Sequence, residues 1–488
     1  MRKPVVIVAI VGLLATLAGL AALPRPPRLG DGSTGDAALA AAARDAVRDR
    51  EGYRGLAVAL IEDGQVRTAG LGDRGPGGGP VEAATPFEIG SVGKVLTGML
   101  LADQAAAVRP EDTLGAVRPE VTGPARDVTL AELASHRSGL PRIAVDGVLG
   151  FGRVLWTNLT AGNAYAGWDA GRVVAAASDK EPGDDRGEVG YSNFGMALLG
   201  QALAGRAGTP YPDLLEREVL RPLGMTGTTV VTGSGALPDG AATGATAAGR
   251  SPEPWVGSGY APAGVGIWSN AEDLSRLVGA MLTGTAPGAD AATPRFTEDE
   301  RSRVGYGWFT ARYGDREVVW HNGATGGFRS YVGFERATGR GVVVLGNTER
   351  GVEPIGLRLL GVGGDEADRE GGGALPAWAG AGLALLLTFI GGLSLLFAAP
   401  RSPDRLSLVA GSVWAVVYVG LGHRLGDWSV VPALLWPPGV GVSAAGLALA
   451  AYRWREVPLV HGAALWRRAT SVGLSTAAAV ALFGFVVV

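Results

Sequence analysis

The chain contains no cysteine. Disulfides, thiolate nucleophiles, cysteine-ligated zinc and a lipid-modified terminal cysteine are thereby excluded. Histidine is almost as scarce, at four residues, and no H-E-x-x-H occurs, so no metal site or other cofactor is expected. No G-x-S-x-G is present, which excludes the nucleophile elbow of an α/β-hydrolase. No basic face with interleaved aromatics appears, so nucleic acid is not an expected partner. Lysine numbers only three among 43 basic residues. That scarcity makes the position of each one informative.

One of the three stands in Ser91-Val92-Gly93-Lys94, the sole S-x-x-K in the chain. Residues three apart share a helix face, so the Lys94 amine can reach the Ser91 hydroxyl. A serine hydroxyl is a poor nucleophile until a neighbour takes its proton. Two further motifs come later in the chain, Tyr191-Ser192-Asn193 and then His321-Asn322-Gly323. Chance gives roughly 0.1 matches to each of the first two and roughly 0.6 to H-x-G, so the ordered set is informative where H-x-G alone is weak.

The 488 residues suggest more than one folding unit. Residues 1–23 begin with Met1-Arg2-Lys3 and an uncharged apolar run, as a signal anchor or a signal peptide does. Either reading exports the globular part of the chain. Residues 24–36 are read as a linker and 37–362 as a mixed globular domain. Residues 363–375 form a second, Gly-rich linker, and 376–488 a four-helix transmembrane region. Its apolar segments are 377–399, 406–422, 430–452 and 470–488, with every charge lying between them. Arg401, Arg405, Arg453, Arg455, Arg467 and Arg468 crowd two of the loops, which places those loops on the same side as Met1-Arg2-Lys3. The globular domain then lies outside the cytoplasm of a bacterial cell membrane. Pro432, Pro437 and Pro438 are expected to kink the third segment.

Within the globular domain, Ala37–Arg50 reads as a helix, and Leu56–Glu62 and Gln65–Leu71 as a hairpin about Asp63-Gly64. Ser91–Ala106 reads as a helix with Ser91 near its start. Late strands are expected at Gly307–Tyr313, Glu317–His321, Ser330–Phe334 and Gly341–Asn347. Strands at both ends and helices between them argue for one sheet whose edge both termini complete.

The chemistry then distributes itself. Ser91 is the nucleophile. Lys94 can act as base if burial or nearby cations lower its proton affinity. Tyr191 is the second candidate base, and Asn193 can bond Lys94 and a substrate amide. Gly323 allows a substrate backbone to come close, and the Ala324 N–H with that of Ser91 can form an oxyanion hole. His321 can hold a substrate carboxylate when protonated, or polarise through a neutral N–H.

These motifs resemble the serine β-lactamase and penicillin-recognising DD-peptidase superfamily, in its class C-like branch with Y-x-N. Thr129–Pro141, Pro182–Gly200, Ala263–Leu274 and Trp320–Val332 resemble further segments of it, in the same order. The resemblance covers residues 38–362. It implies an α/β (α+β) domain, an antiparallel sheet with helices on both faces plus an all-helical part, joined here to transmembrane helices. It also implies that Ser91 is acylated, that Lys94 and Tyr191 move its proton, and that Asn193 contacts a substrate amide. His321 stands where many members have lysine, which points away from strong β-lactamase activity. His136, in Ser135-His136-Arg137-Ser138-Gly139, falls in a segment that the resemblance makes a structural loop. The expected partners are a small-molecule or cell-wall peptide substrate and a lipid bilayer. The alternative is a sensor that is acylated or binds ligand without turnover. Neither the substrate nor the oligomeric state is legible.

Overall fold

The computed structural model describes residues 2–103, 108–145, 160–233, 237–370 and 377–460, with scattered positions in 150–157 and 470–477. The chain divides into two compact units. One comprises residues 28–246 and 251–372; the other comprises 1–27, 247–250 and 373–488.

The first unit is built on nine antiparallel strands. In chain order they are β1 (Ser33–Gly35), β2 (Gly55–Glu62), β3 (Gln65–Gly72), β7 (Phe296–Thr297), β8 (Ser302–Val304), β9 (Phe309–Tyr313), β10 (Arg316–Ala324), β11 (Arg329–Glu335) and β12 (Arg340–Gly346), in the spatial order β1-β3-β2-β12-β11-β10-β9-β8-β7. A small second sheet holds β4 (Phe87–Glu88), β5 (Thr229–Val230) and β6 (Ile267–Ser269). The β2–β3 hairpin turns at Asp63 and Gly64, with φ of 52° and 75°. Two left-handed residues are what a two-residue turn needs to match strand twist, which is why Asp-Gly marks it in sequence.

The large sheet is covered on both faces, and alternate residues show it. Ala57, Ala59 and Ile61 of β2, with Val343 and Leu345 of β12, enter the core shared with most of the helices. Leu56, Val58 and Leu60, with Val342 and Val344, enter a second core beneath helices Ala37–Val47 and Glu353–Leu360. Burial on both faces explains the unbroken apolar runs of these two strands.

The late strands fall where the pattern placed them, with β10 running to Ala324 rather than ending at His321. The termini are arranged differently from the expectation. The last strand, β12, pairs with β2 inside the sheet, and the N-terminal hairpin extends the sheet beyond it. β1 lies within the stretch read as a linker and pairs with β3. Three residues of Ser, Thr and Gly carry no periodic signal, so only the neighbouring strand defines it. The second stretch read as a linker likewise holds the helix Gly364–Glu370, whose Ala367 is buried in the second core.

In the other unit, four helices among the described residues are long and apolar enough to cross a membrane: Val5–Ala22, Ala379–Arg401, Arg405–Leu425 and Ala433–Arg453. Small residues set their packing. A methyl group on Gly441 would stand 1.9 Å from Thr16 Oγ1, and one on Gly392 2.7 Å from Ser443. The expected proline kink is absent. The helix begins at Trp436, so Pro437 and Pro438 occupy its first turn, where no intrahelical N–H is lost. Segment 470–488 lies almost wholly outside the described residues.

Candidate active site

Ser91 occupies a short 3₁₀ turn, Gly90–Val92, that runs directly into the helix Gly93–Asp103. The candidate nucleophile therefore sits at a helix start, where unpaired N–H groups favour developing negative charge. Lys94 Nζ lies 2.8 Å from Ser91 Oγ and 2.7 Å from the Ala263 carbonyl, with the side chain fully buried. Gly264 permits that arrangement. Its φ is +98°, and a methyl group there would stand 1.9 Å from the Gly90 carbonyl. The segment Ala263–Leu274 thus nests against the nucleophile turn and delivers a backbone acceptor to Lys94. Burial, and then the Arg142 charge, hold the Lys94 amine well below its ordinary proton affinity.

Tyr191 and Asn193 come from a loop stitched to residues 136–142. The N–H groups of Gly190, Asn193 and Phe194 donate to the carbonyls of His136 (2.7 Å), Arg142 (3.1 Å) and Arg142 (3.2 Å). Ser192 caps the helix Asn193–Ala207 by accepting from Gly195 N–H. The Tyr191 ring centroid lies 5.0 Å from Lys94 Nζ and 5.3 Å from the Arg142 guanidinium. Burial raises the phenol above its ordinary range, against the lowering effect of its hydrogen bond with Ser91. Tyr191 is therefore a phenol at neutral pH, and of the two candidate bases Lys94 is the one whose surroundings lower its proton affinity. Asn193 does not hold Lys94. Its Nδ2 donates to Tyr165 Oη at 3.0 Å, and its buried Oδ1 has no partner.

His321 is buried on β10 behind the cavity. Its Nδ1 lies 2.5 Å from the Asn322 carbonyl, so Nδ1 carries the proton and the unpartnered Nε2 is a bare acceptor. Burial first, then the Lys94 charge, push its pKa down to about 3. Of the two roles open to His321, a protonated carboxylate anchor has no support here. Gly323 also differs from expectation. The close approach it permits is that of the protein's own Ile89 carbonyl, which a methyl group would meet at 2.1 Å. Ser330 Oγ donates to that same carbonyl at 2.6 Å. Gly323 thus seats the nucleophile turn on β10, and a methyl group on Gly90 would stand 3.0 Å from Ala324 N.

Ser91, Asn193 and Ala324 line one cavity of about 240 Å³, together with Arg142, Tyr165 and Trp255. Lys94, Tyr191, His321 and Gly323 stand behind or beside it. Two contributors, Arg142 and Glu88, escaped the sequence reading, and a third, His136, lies closer to the site than its loop role suggested. Arg142 follows Pro141 by one residue, and nothing in the pattern marks it. His136 packs its ring 4.4 Å from that of Tyr191 and accepts from Ser192 N–H at 3.3 Å, so its loop is structural but directly beside the site. Glu88 is buried three residues before Ser91; it accepts from Trp255 N–H at 3.2 Å, and burial raises its pKa to about 8. Among the described residues, no group of side chains could hold a metal ion.

A family model described as Beta-lactamase matches residues 39–360. Over 188 residues the chain is 31% identical to D-alanyl-D-alanine-carboxypeptidase/endopeptidase AmpH of Escherichia coli, covering 36% of this chain and 46% of that protein. Over 181 residues it is 30% identical to a Beta-lactamase of Yersinia enterocolitica, covering 36% and 42%. The chain thus spans under half the length of these curated relatives. Among solved structures, the class C beta lactamase of Rhodobacter sphaeroides superposes with a TM-score of 0.54 at 22% identity, over 66% of this chain and 97% of that one. Another class C beta-lactamase superposes with a TM-score of 0.55 at 19% identity, over 63% and 91%. At these identities the superpositions speak for the fold alone, and the fold is that of a class C β-lactamase.

Proposed function

The chain belongs to the beta-lactamase family and is a serine hydrolase, and from that premise we propose that Ser91 is acylated by D-alanyl peptides or by small esters and amides. The observation that carries this reading is the buried Lys94 amine, 2.8 Å from Ser91 Oγ and with its proton affinity lowered by burial and the Arg142 charge. Lys94 takes the Ser91 proton as Oγ attacks the substrate carbonyl. The N–H groups of Ser91 and Ala324 receive the oxyanion. On collapse, Tyr191 gives its phenolic proton to the leaving group and recovers one from the Lys94 ammonium. Water then enters by the reverse route and releases the acid. Asn193, with a free buried Oδ1, accepts from a substrate amide N–H. Gly323 and His321 do not line the cavity and offer a substrate no charge, which fits weak rather than strong turnover of β-lactams.

The four apolar helices support membrane embedding, and the arginine-rich loops support an extracytoplasmic catalytic unit. The test is D-alanine release from a D-alanyl-D-alanine-terminated peptide beside hydrolysis of an activated ester, with detergent-purified protein and Ser91→Ala. Release of either product by the wild type and not by Ser91→Ala is expected. Equal rates in the two proteins would refute the assignment of Ser91.

A further inference from the structure

We infer that Arg142 is a specificity-determining residue that selects substrates carrying a carboxylate; the inference rests on the acyl-enzyme reading above. Among the described residues, Arg142 is the one charged side chain lining the Ser91 cavity, and no carboxylate lines it. Among those same residues its guanidinium makes no ion pair or hydrogen bond, and its contact is the face of the Tyr191 ring at 5.3 Å. Other arginines of this unit are engaged: Arg186 pairs with Glu132, Arg118 with Glu120 and Arg316 with Glu335. The Arg142 backbone is fixed, because its carbonyl accepts from both Asn193 and Phe194. A tethered main chain with a free, solvated guanidinium is a built anchor awaiting an anion.

The rest of the site makes this anchor necessary. His321 is buried with its pKa pushed down to about 3, and the buried Lys94 amine is turned onto Ser91 Oγ and the Ala263 carbonyl, so neither presents a charge at the cavity surface. Arg142 presents a planar guanidinium fork that matches a carboxylate. A cleft with low-dielectric walls concentrates its field. The same charge reaches Lys94, Tyr191 and Tyr165, which places it electrostatically inside the site.

The test compares matched activated esters, one bearing a carboxylate and the other its neutral amide. In one series the group sits on the acyl portion, and in a second on the leaving group. The rate of Ser91 acylation is read by intact mass for the full-length protein, Arg142→Gln, Arg142→Lys, Arg142→Glu and Ser91→Ala. In at least one series, Arg142→Gln should lower the anionic-to-neutral rate ratio about tenfold or more. Arg142→Lys should recover part of that ratio, and Arg142→Glu should invert the preference. A residue that acted only by tuning Lys94 would slow both esters alike. A ratio unchanged within about twofold in both series would therefore overturn the inference. The Ser91 reading fails by a different sign: an adduct that persists in Ser91→Ala, or none on any ester.

Discussion

The two sides of Ser91 are built on opposite electrostatic principles. Behind it, Lys94, His136 and His321 are ionisable groups packed out of reach of water, each with its proton affinity lowered first by burial. In front of it, the cavity carries the Arg142 guanidinium, unpaired among the described residues, and the buried, unpartnered amide oxygen of Asn193. On the proposed reading, the dry side costs stability and supplies a base, and the cavity side supplies selectivity. The difference teaches that a lysine beside a serine acts as a proton acceptor because of what encloses it, and that an arginine kept in water remains a cation.

The sharpest way to break this contrast is to change the dry side. Lys94→Met should lower kcat by about 10³-fold or more in ester hydrolysis. The same variant should unfold at a higher temperature near neutral pH. The folded state holds Lys94 at a depressed pKa, so the unfolded chain binds more protons between that value and the ordinary lysine pKa, and the native residue loses stability as pH falls through that window. Methionine removes the penalty. A Tm that drops by several degrees would mean that Lys94 is held as a paired cation.

A second variant probes the scaffold. With a folded pKa raised to about 8, Glu88 contributes stability below the ordinary carboxyl range, and that contribution is lost as pH rises toward 8. Glu88→Gln should flatten the decline of thermal stability between pH 5 and 8, by about 3 kcal/mol at the upper end. Denaturant titrations at the two pH values read it directly. The smallest effect concerns His321. Because its pKa lies near 3, the ratio of kcat/KM for anionic over neutral esters should be flat from pH 5.5 to 8. A fall of that ratio through pH 6.5 would restore His321 as the charged anchor.

The sequence was most legible where one residue type forces one geometry. Asp63-Gly64 declared its hairpin, and Ser91 with Lys94 declared their contact, because both depend on neighbours close in the chain. Tyr191 and Asn193 were found by pattern, but the Asn193 bond to Tyr165 was not, since Tyr165 stands 28 positions earlier, across the helix Ala170–Ala177. Gly323 was read as room for substrate, and the room is taken by Ile89. His321 kept two open roles until its burial was known. Arg142 was invisible: an arginine in a chain rich in arginine gains meaning only from the cavity it faces and the partners it lacks.

Acylation of Ser91 is the central claim, and trapping the acyl-enzyme tests it most directly. Full-length protein would be treated with a penicillin and, separately, an activated ester, quenched at low pH, and examined by intact mass and peptide mapping beside Ser91→Ala. One acyl group per chain, localised to Ser91 for at least one reagent and absent from Ser91→Ala, is the predicted result. An adduct on another residue, or equal labelling of Ser91→Ala, would contradict it.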